Sequence, residues 1–291
     1  MGVFSQVLMT VDFDRTLTGP DGKIPQANLK AIDRFMHDGG AFTVNTGRSL
    51  PMLRPELSRF PVNAPLLLYN GSVAYDWAEK KMIHFPIPLT SNPSEVLPRI
   101  QAQFPDLLLG VQGLEAHYIF RHEPLWQVFG RENGCEVREI CFAQLPSPFL
   151  KMALYGTIRD GTVSQFYEIT PEQDAGFQEA ERWLQERYGA SLSVTRGAPR
   201  ILDLQAAGTS KGQAARELAR QLGRRVLVCV GDGANDASML AAADFPFAAA
   251  DGDPILTARY PHYVSCAQGV VADAIRRLPE LLEQRATGKK L

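Results

Sequence analysis

Four short apolar runs set the rhythm of the chain, and they end alike. QVLMTV stops at Asp12, AFTVN at Thr46, PLLLY at Asn70 and RVLVCVG at Asp232. Each gives way to a polar residue with Gly, Thr or Arg close behind. Near-continuous apolar runs of this length suit strands buried on both faces of a parallel sheet. Helical periodicity lies between several of them. ANLKAIDRFMHDGG puts Leu29, Ile32, Phe35 and Met36 on one face and ends in glycines. SKGQAARELARQLGRR has Thr209 or Ser210 as its cap and Gly223 as its stop, and DASMLAAAD follows the fourth run. Alternating strands and helices predict an α/β fold with a Rossmann-like parallel sheet.

Between about residues 86 and 195 the pattern changes. No buried-strand run there ends in a carboxylate. Helices are predicted at SEVLPRIQAQF, EPLWQVFGREN and PEQDAGFQEAERWLQERYG. Strands are predicted at LLLGVQ, HYIFR, CEVREI, FLKMALYGT, LSVTR and ILDLQ. This mixture predicts a separate α+β domain, 86–195, inserted into a domain formed by 1–85 and 196–291. The proline-rich FPIPLTSNP leads into it and RGAPR leads out, while the tail RATGKKL is expected to fray. There is no internal repeat.

Composition narrows the function classes. A chain of 291 residues is long enough for two unequal domains. A formal net charge of -2 gives no electrostatic footprint for a nucleic-acid partner. Cys135, Cys141, Cys229 and Cys266 form no CxxC pair or zinc-type cluster, so they read as reduced thiols used as small apolar residues. No apolar run approaches the ~18 residues of a spanning helix, so no membrane partner is expected and an ion pump of the P-type is excluded. MGVFSQVLMTVDFD reads as a first strand, not a signal peptide, and Gln6 breaks the myristoylation pattern. A cytoplasmic location is the default expectation.

Ligands of open parallel sheets sit beyond the carboxyl ends of the strands. The polar residues closing the four runs therefore form one candidate site. Asp12 and Asp14, two apart, would point to one face of a strand. Such a pair needs a cation or a shared proton, unless both carboxylates are simply solvated in a turn. Asp232 and Asp236 add negative charge at another strand end. A hard, oxygen-rich set of this kind suits Mg²⁺. As a dinucleotide fingerprint, GDGAND (231–236) fails at its last position, where Asp236 stands in place of a small residue. Gly231 and Gly233 then read as turn residues that let the backbone approach a metal or phosphate. In VNTGRSL, Thr46 and Gly47 make either a phosphate cradle or a plain cap. Lys211 in GTSKGQAA opposes the dipole preference of a helix start, which points to function unless the side chain is solvated.

Taken in order, DFDRTLT, TGR, SKG and GDGAND-ASML, with NGS at 70–72 and YVSCAQGVVADAI near the end, resemble the haloacid dehalogenase (HAD) superfamily of phosphatases. More narrowly they resemble its Cof-type branch, subfamily IIB, in which a C2B cap is inserted after the second motif. The resemblance implies two-step phosphoryl transfer. Asp12 would be the nucleophile. Asp14 would be the acid and base, and its carbonyl would help hold Mg²⁺. Thr46 and the Gly47 N–H would bind the phosphoryl group, with Asn235 contacting the phosphate or Lys211. Lys211 would neutralise charge on Asp12 and the phosphate. Asp232 would ligate Mg²⁺, and Asp236 would ligate it or orient a bound water. Arg15 departs from the family pattern, in which many members have Gly, and bears on access to the site.

The implied function is a Mg²⁺-dependent phosphatase acting on small phosphorylated metabolites, sugar phosphates first. A phosphomutase or other phosphotransferase on the same core is the alternative. A nucleotide-binding oxidoreductase and a non-catalytic binding protein are remoter ones. The inserted domain would set specificity and gate access by its motion. Arg121, His122, Trp126, Arg131 and Lys151 are its candidate contacts, although each reads more readily as surface or core, and Arg48 of the second motif reads equally as a substrate contact or a surface helix residue. Oligomeric state is not legible.

Overall fold

The computed structural model describes residues 2–83, 93–146, 150–157 and 169–287. His84 and all of FPIPLTSNP before Pro93 lie outside them, as does the end of the tail. Along the chain run β1 (Val7–Val11), α1 (Gln26–His37), β2 (Ala41–Val44), α2 (Leu50–Leu53), β3 (Leu66–Leu68), β4 (Val73–Asp76) and β5 (Lys81–Ile83). Next come α3 (Pro93–Gln103), β6 (Leu108–Gln112), β7 (His117–Ile119), α4 (Pro124–Asn133), β8 (Val137–Glu139), β9 (Lys151–Tyr155), α5 (Pro171–Tyr188), β10 (Leu192–Ala198) and β11 (Ile201–Ala206). The chain closes with α6 (Lys211–Gln221), β12 (Val226–Gly231), α7 (Ala237–Ala242), β13 (Phe245–Ala248), α8 (Pro254–Thr257) and α9 (Val270–Ala286).

The chain divides into two compact units. The first comprises Met1–Thr46, Leu57–Ile83 and Ser210–Leu291, the second Gly47–Glu56 and His84–Thr209. This division differs from the expected 1–85, 86–195 and 196–291 in two places. The later exit, at Thr209, follows from the β10–β11 hairpin, whose antiparallel ladder keeps both strands in the second unit's sheet. The early excursion, Gly47–Glu56, follows from Met52, which packs among Leu108, Trp126 and Tyr155.

In the first unit the α/β expectation holds. Its sheet has the order β13-β12-β1-β2, and each ladder is parallel. The central strands β1 and β12 are buried along their whole length, as the near-continuous apolar runs require. Val11 is level with Val230 on one side and Val44 on the other, so three strands reach their carboxyl ends together.

Two strands depart from the sequence pattern. PLLLY does not continue the parallel ladder. β3 touches the sheet through one bridge, Asn45 to Leu67, and pairs antiparallel with β4, which pairs with β5. The chain reverses there because Tyr69, Asn70 and Gly71 all adopt positive φ. β13 was not legible: it has four residues and carries Pro246, which suppresses a strand signal. It is an edge strand, where proline is tolerated.

Helices pack around this sheet. α1 lies against α9, and buried Asn28 joins them to the turn after β1, donating to Leu17 O (3.0 Å) and accepting from Ala272 N (3.0 Å). α6 packs on α7 at Gly212, where a Cβ would lie 2.1 Å from the Ser238 carbonyl oxygen. Among the described residues no helix is long and apolar enough to cross a membrane.

The second unit is a six-stranded sheet in the order β10-β11-β9-β6-β7-β8, antiparallel except for β7–β8. One face packs Met152, Leu154 and Leu202 against Leu97 and Ile100 of α3 and Phe177 and Leu184 of α5. The other packs Ile119, Ala153 and Tyr155 against Leu125, Trp126 and Phe129 of α4. Cys135, Cys229 and Cys266 are buried and Cys141 is exposed, against the expectation of uniform apolar use. Burial pushes the Cys229 thiol up to about 12.

Two helix glycines should respond oppositely to alanine. Gly212→Ala forces α6 and α7 apart and is expected to cost ~1–3 kcal/mol. Gly176→Ala, at an exposed position of α5 with open space at its Cβ, is expected to gain ~0.5–1 kcal/mol. Urea denaturation of both variants checks this. A Gly212→Ala protein as stable as the wild type would show that the two helices can separate at no cost.

Candidate active site

β1 delivers Asp12 to the end of the sheet. Its N–H still donates to Val230 O (2.9 Å), and its backbone is extended. The next residues leave the sheet in a wide turn closed by Leu17 N to Asp12 O (3.1 Å) and Thr18 N to Phe13 O (3.0 Å). Asp14 is therefore not on the strand with Asp12, contrary to the expected pairing across a pleat. It lies half-buried within the turn, at φ -76°, ψ 128°. Arg15 follows at φ 60°, a left-handed position.

β12 delivers Asp232 and, one tight turn later, Asp236. Asp236 is fully buried, and its Oδ2 accepts from Asp232 N (2.9 Å) and Gly233 N (3.0 Å). This fold-back explains Gly231 differently from the sequence reading. A Cβ at Gly231 would meet the Asp236 Cβ at 2.6 Å, so the glycine makes room for the Asp236 side chain itself. Asp232 Oδ1 accepts from the Thr16 hydroxyl at 2.7 Å. Asn235 is half-buried, with its Oδ1 2.9 Å from where a Gly233 Cβ would stand.

α6 delivers the cation. Ser210 caps the helix by accepting from Gln213 N (3.2 Å), which settles the choice between Thr209 and Ser210. Lys211 is the first residue of the helix and is not solvated: its side chain is wholly buried. Its Nζ lies 2.6 Å from Asp12 Oδ1 and 2.6 Å from Asp236 Oδ1. Asn45, at the end of β2, donates to the Lys211 carbonyl (2.8 Å) and so holds the helix start to the sheet. Gly71 comes close enough to α6 that a Cβ would lie 2.5 Å from Ser210 O.

Thr46 is buried, with its N–H on Leu67 O (2.9 Å) and its carbonyl accepting from Asn70 N (2.9 Å). Gly47, next in the chain, belongs to the second unit, where its carbonyl accepts from Lys151 Nζ at 2.8 Å. The structure thus gathers Asp12, Lys211, Asp232 and Asp236 directly. Sequence reading missed Thr16 and Asn45, which carry no motif of their own and act through one hydrogen bond each.

The second unit's candidate contacts have other duties. Arg121 pairs with Glu123 (3.2 Å), His122 and Arg131 are exposed, and Trp126 is core, donating to Arg121 O (3.1 Å). Arg48 lies 4.0 Å from Glu56. Lys151 is buried with Asp203 at 3.0 Å. His117 is buried among Trp126, Phe129 and Tyr155. Burial, and then the Lys151 charge, holds it down at about 3, a neutral imidazole.

Electrostatics separate the core groups. Burial raises Asp12 well above the carboxylate range; Lys211 only partly offsets this, and Asp236, Asp232 and Asp14 add to it. Burial, then Asp236, raises Asp232 to about 7. Burial opposes the Lys211 charge, but Asp12 and Asp236 outweigh it and keep the ammonium protonated. One carboxylate oxygen each of Asp12, Asp232 and Asp236 lie within 4.8 Å of one another. One ammonium cannot neutralise three carboxylates. A hard, all-oxygen donor set short of positive charge fits a divalent cation such as Mg²⁺. Asp236 is already held by Lys211 and two amides, so Asp12 and Asp232 are the stronger donors.

The sequence profile described as haloacid dehalogenase-like hydrolase matches residues 9–275. The chain belongs to this family. Solved structures share the HAD fold at low identity. A haloacid dehalogenase-like hydrolase from Bacteroides thetaiotaomicron is 21% identical, with 93% of this chain and 98% of that one covered and a TM-score of 0.76. A HAD-superfamily phosphatase from the same organism is 18% identical, with 94% and 95% covered and a TM-score of 0.72. A HAD subclass IIB sugar phosphatase is 16% identical, with 93% and 98% covered and a TM-score of 0.72.

The Asp232 shift has a signed consequence for this HAD-like hydrolase. Its ionised form is disfavoured in the folded state, so between 3.8 and about 7 the folded protein binds more protons than the unfolded chain. Its contribution to stability falls as pH rises across that window and stays low above it. In EDTA, Asp232→Asn is expected to be roughly 1–3 kcal/mol more stable than wild type at pH ~8 and nearly equal at pH ~4. Chemical denaturation at the two pH values checks this. Parallel pH profiles for the two proteins would show that Asp232 does not carry the penalty.

Proposed function

We propose that this protein is a divalent-cation-dependent phosphatase that hydrolyses small phosphorylated metabolites through an aspartyl-phosphate on Asp12. The observation that carries the reading is the buried Lys211 ammonium, 2.6 Å from Asp12 and 2.6 Å from Asp236, beside the half-buried Asp232. Sugar phosphates are the first substrate class to test, by fold likeness to a subclass IIB sugar phosphatase.

The chemistry follows from charge. A carboxylate attacks a phosphate monoester only when their mutual repulsion is offset. Lys211 supplies one positive charge at the Asp12 oxygen. Asp12 and Asp232, with Asp236 and the Asp14 carbonyl behind them, would hold Mg²⁺, which when bound supplies further charge neutralisation for the phosphoryl oxygens. In the first step an Asp12 oxygen forms a bond to phosphorus while the ester P–O bond breaks. Asp14, protonated, gives its proton to the leaving oxygen. In the second step Asp14, now a carboxylate, takes a proton from water as that water attacks phosphorus. The bond to Asp12 breaks, and inorganic phosphate and free Asp12 result. Thr46, Gly47 N–H and Asn235 are the proposed partners of the phosphoryl oxygens.

Hydrolysis of p-nitrophenyl phosphate near neutral pH is expected with Mg²⁺ and is expected to stop in EDTA. Asp12→Asn should lower the rate at least ~10³-fold with an unchanged circular dichroism spectrum. Asp14→Asn should let phosphate remain on Asp12, detectable by mass spectrometry of an acid-quenched digest, since the base for the second step is gone. Undiminished turnover by Asp12→Asn would overturn the mechanism.

A further inference from the structure

Arg15 is held in a backbone conformation that costs a non-glycine residue on the order of 1–2 kcal/mol, at φ 60°, ψ 10°. Its N–H donates to Thr18 Oγ1 (3.1 Å), so the turn itself fixes this geometry. The side chain leaves the turn towards the acidic cluster. Its Nε lies 3.8 Å from Asp232 Oδ2, and 48% of the side chain is exposed. Thr16 holds the other Asp232 oxygen from the adjacent position, so consecutive residues grip both oxygens of one carboxylate. Asp251, on the loop whose Asp253 N–H donates to the Asp232 carbonyl (2.7 Å), also lies within the field of Arg15.

Charge counting gives this contact a meaning. With the three clustered carboxylates ionised, Asp12, Asp232 and Asp236 against Lys211 leave two negative charges, the charge of one divalent cation. Arg15 reduces that excess to one. We propose that Arg15 is a positioning residue that tunes the divalent-cation site: it pre-neutralises Asp232, competes with the cation for that carboxylate, and so keeps the cation weakly held and exchangeable. The proposal rests on the divalent-cation reading above. A guanidinium is permanently charged and cannot yield by losing its proton, so it yields by swinging into solvent, which its half-exposed position allows. Coulomb's law at a high effective dielectric puts its effect on cation affinity at about tenfold at low ionic strength.

The test is titration of the metal-stripped full chain with Mn²⁺, followed by loss of the free-ion electron paramagnetic resonance signal. Wild type, Arg15→Asn, Arg15→Gly and Arg15→Lys are compared. Asn and Gly both relieve the left-handed strain and remove the charge; Lys keeps the charge. Asn and Gly are expected to bind Mn²⁺ about tenfold tighter than wild type, and Lys within about twofold of it. The gain should shrink towards unity in about 0.5 M salt as screening sets in. Tighter binding by Gly but not Asn would assign the effect to backbone freedom and overturn the charge role. Equal affinity in all four would overturn it too, while leaving the cation site standing. No Mn²⁺ binding by any folded protein of the set would overturn the cation reading itself.

Discussion

The first unit is organised around one buried ion. Lys211 has no exposed side-chain surface, and an isolated ammonium in that place would cost several kcal/mol of lost hydration. It is tolerable because carboxylates from two strand ends meet it at hydrogen-bond distance. The dependence runs both ways. Asp12 and Asp236, pressed together without Lys211, would repel each other. The contacts around them keep this arrangement in register: Asn45 on the Lys211 carbonyl, two amides on Asp236, and two helices whose backbones approach at Gly212.

The sheet makes that meeting possible. Parallel strands in a common register finish at the same level, and the loops that follow bring their first polar residues into one place. Val11, Val230 and Val44 mark that level, and Asp12 and Asn45 are the next residues of two of those strands. The chemistry then depends on side chains that the sheet points but does not hold. Thr16 and Arg15 on Asp232 complete the shell. A partner already in place, as buried Thr16 is, costs no reorganisation when charge develops, which is the advantage of preorganised electrostatics.

Much of this was legible because strand ends speak in single residues. Asp12, Asp232 and Lys211 stand out in the sequence as charged groups where a buried run or a helix start would prefer something else. Asn45 and Thr16 are silent because a small polar residue beside a strand is ordinary; only the three-dimensional partner gives it a role. Near-continuous apolar runs told β1 and β12 correctly, but PLLLY reads the same and belongs to a hairpin. The decision lay in the residues after it, Tyr69 and Asn70, which take a left-handed conformation that residues with side chains seldom adopt. β13 hid behind a proline, and the Gly47–Glu56 excursion hid because one methionine, Met52, chose the second unit's core.

Three departures from local preference fall within one small region. Lys211 opposes its helix dipole, Arg15 sits where glycine is at ease, and Asp236 folds its carboxylate over Gly231 towards two others. Scattered through a fold, such departures would be unrelated costs. Gathered here, each answers the same electrostatic demand. Lys211 balances the buried pair, the Gly231–Asp236 contact lets the backbone amides share a carboxylate, and Arg15 trims what remains. Local rules fail together because the net charge of the site is fixed by all its members at once, and no window of sequence contains them all.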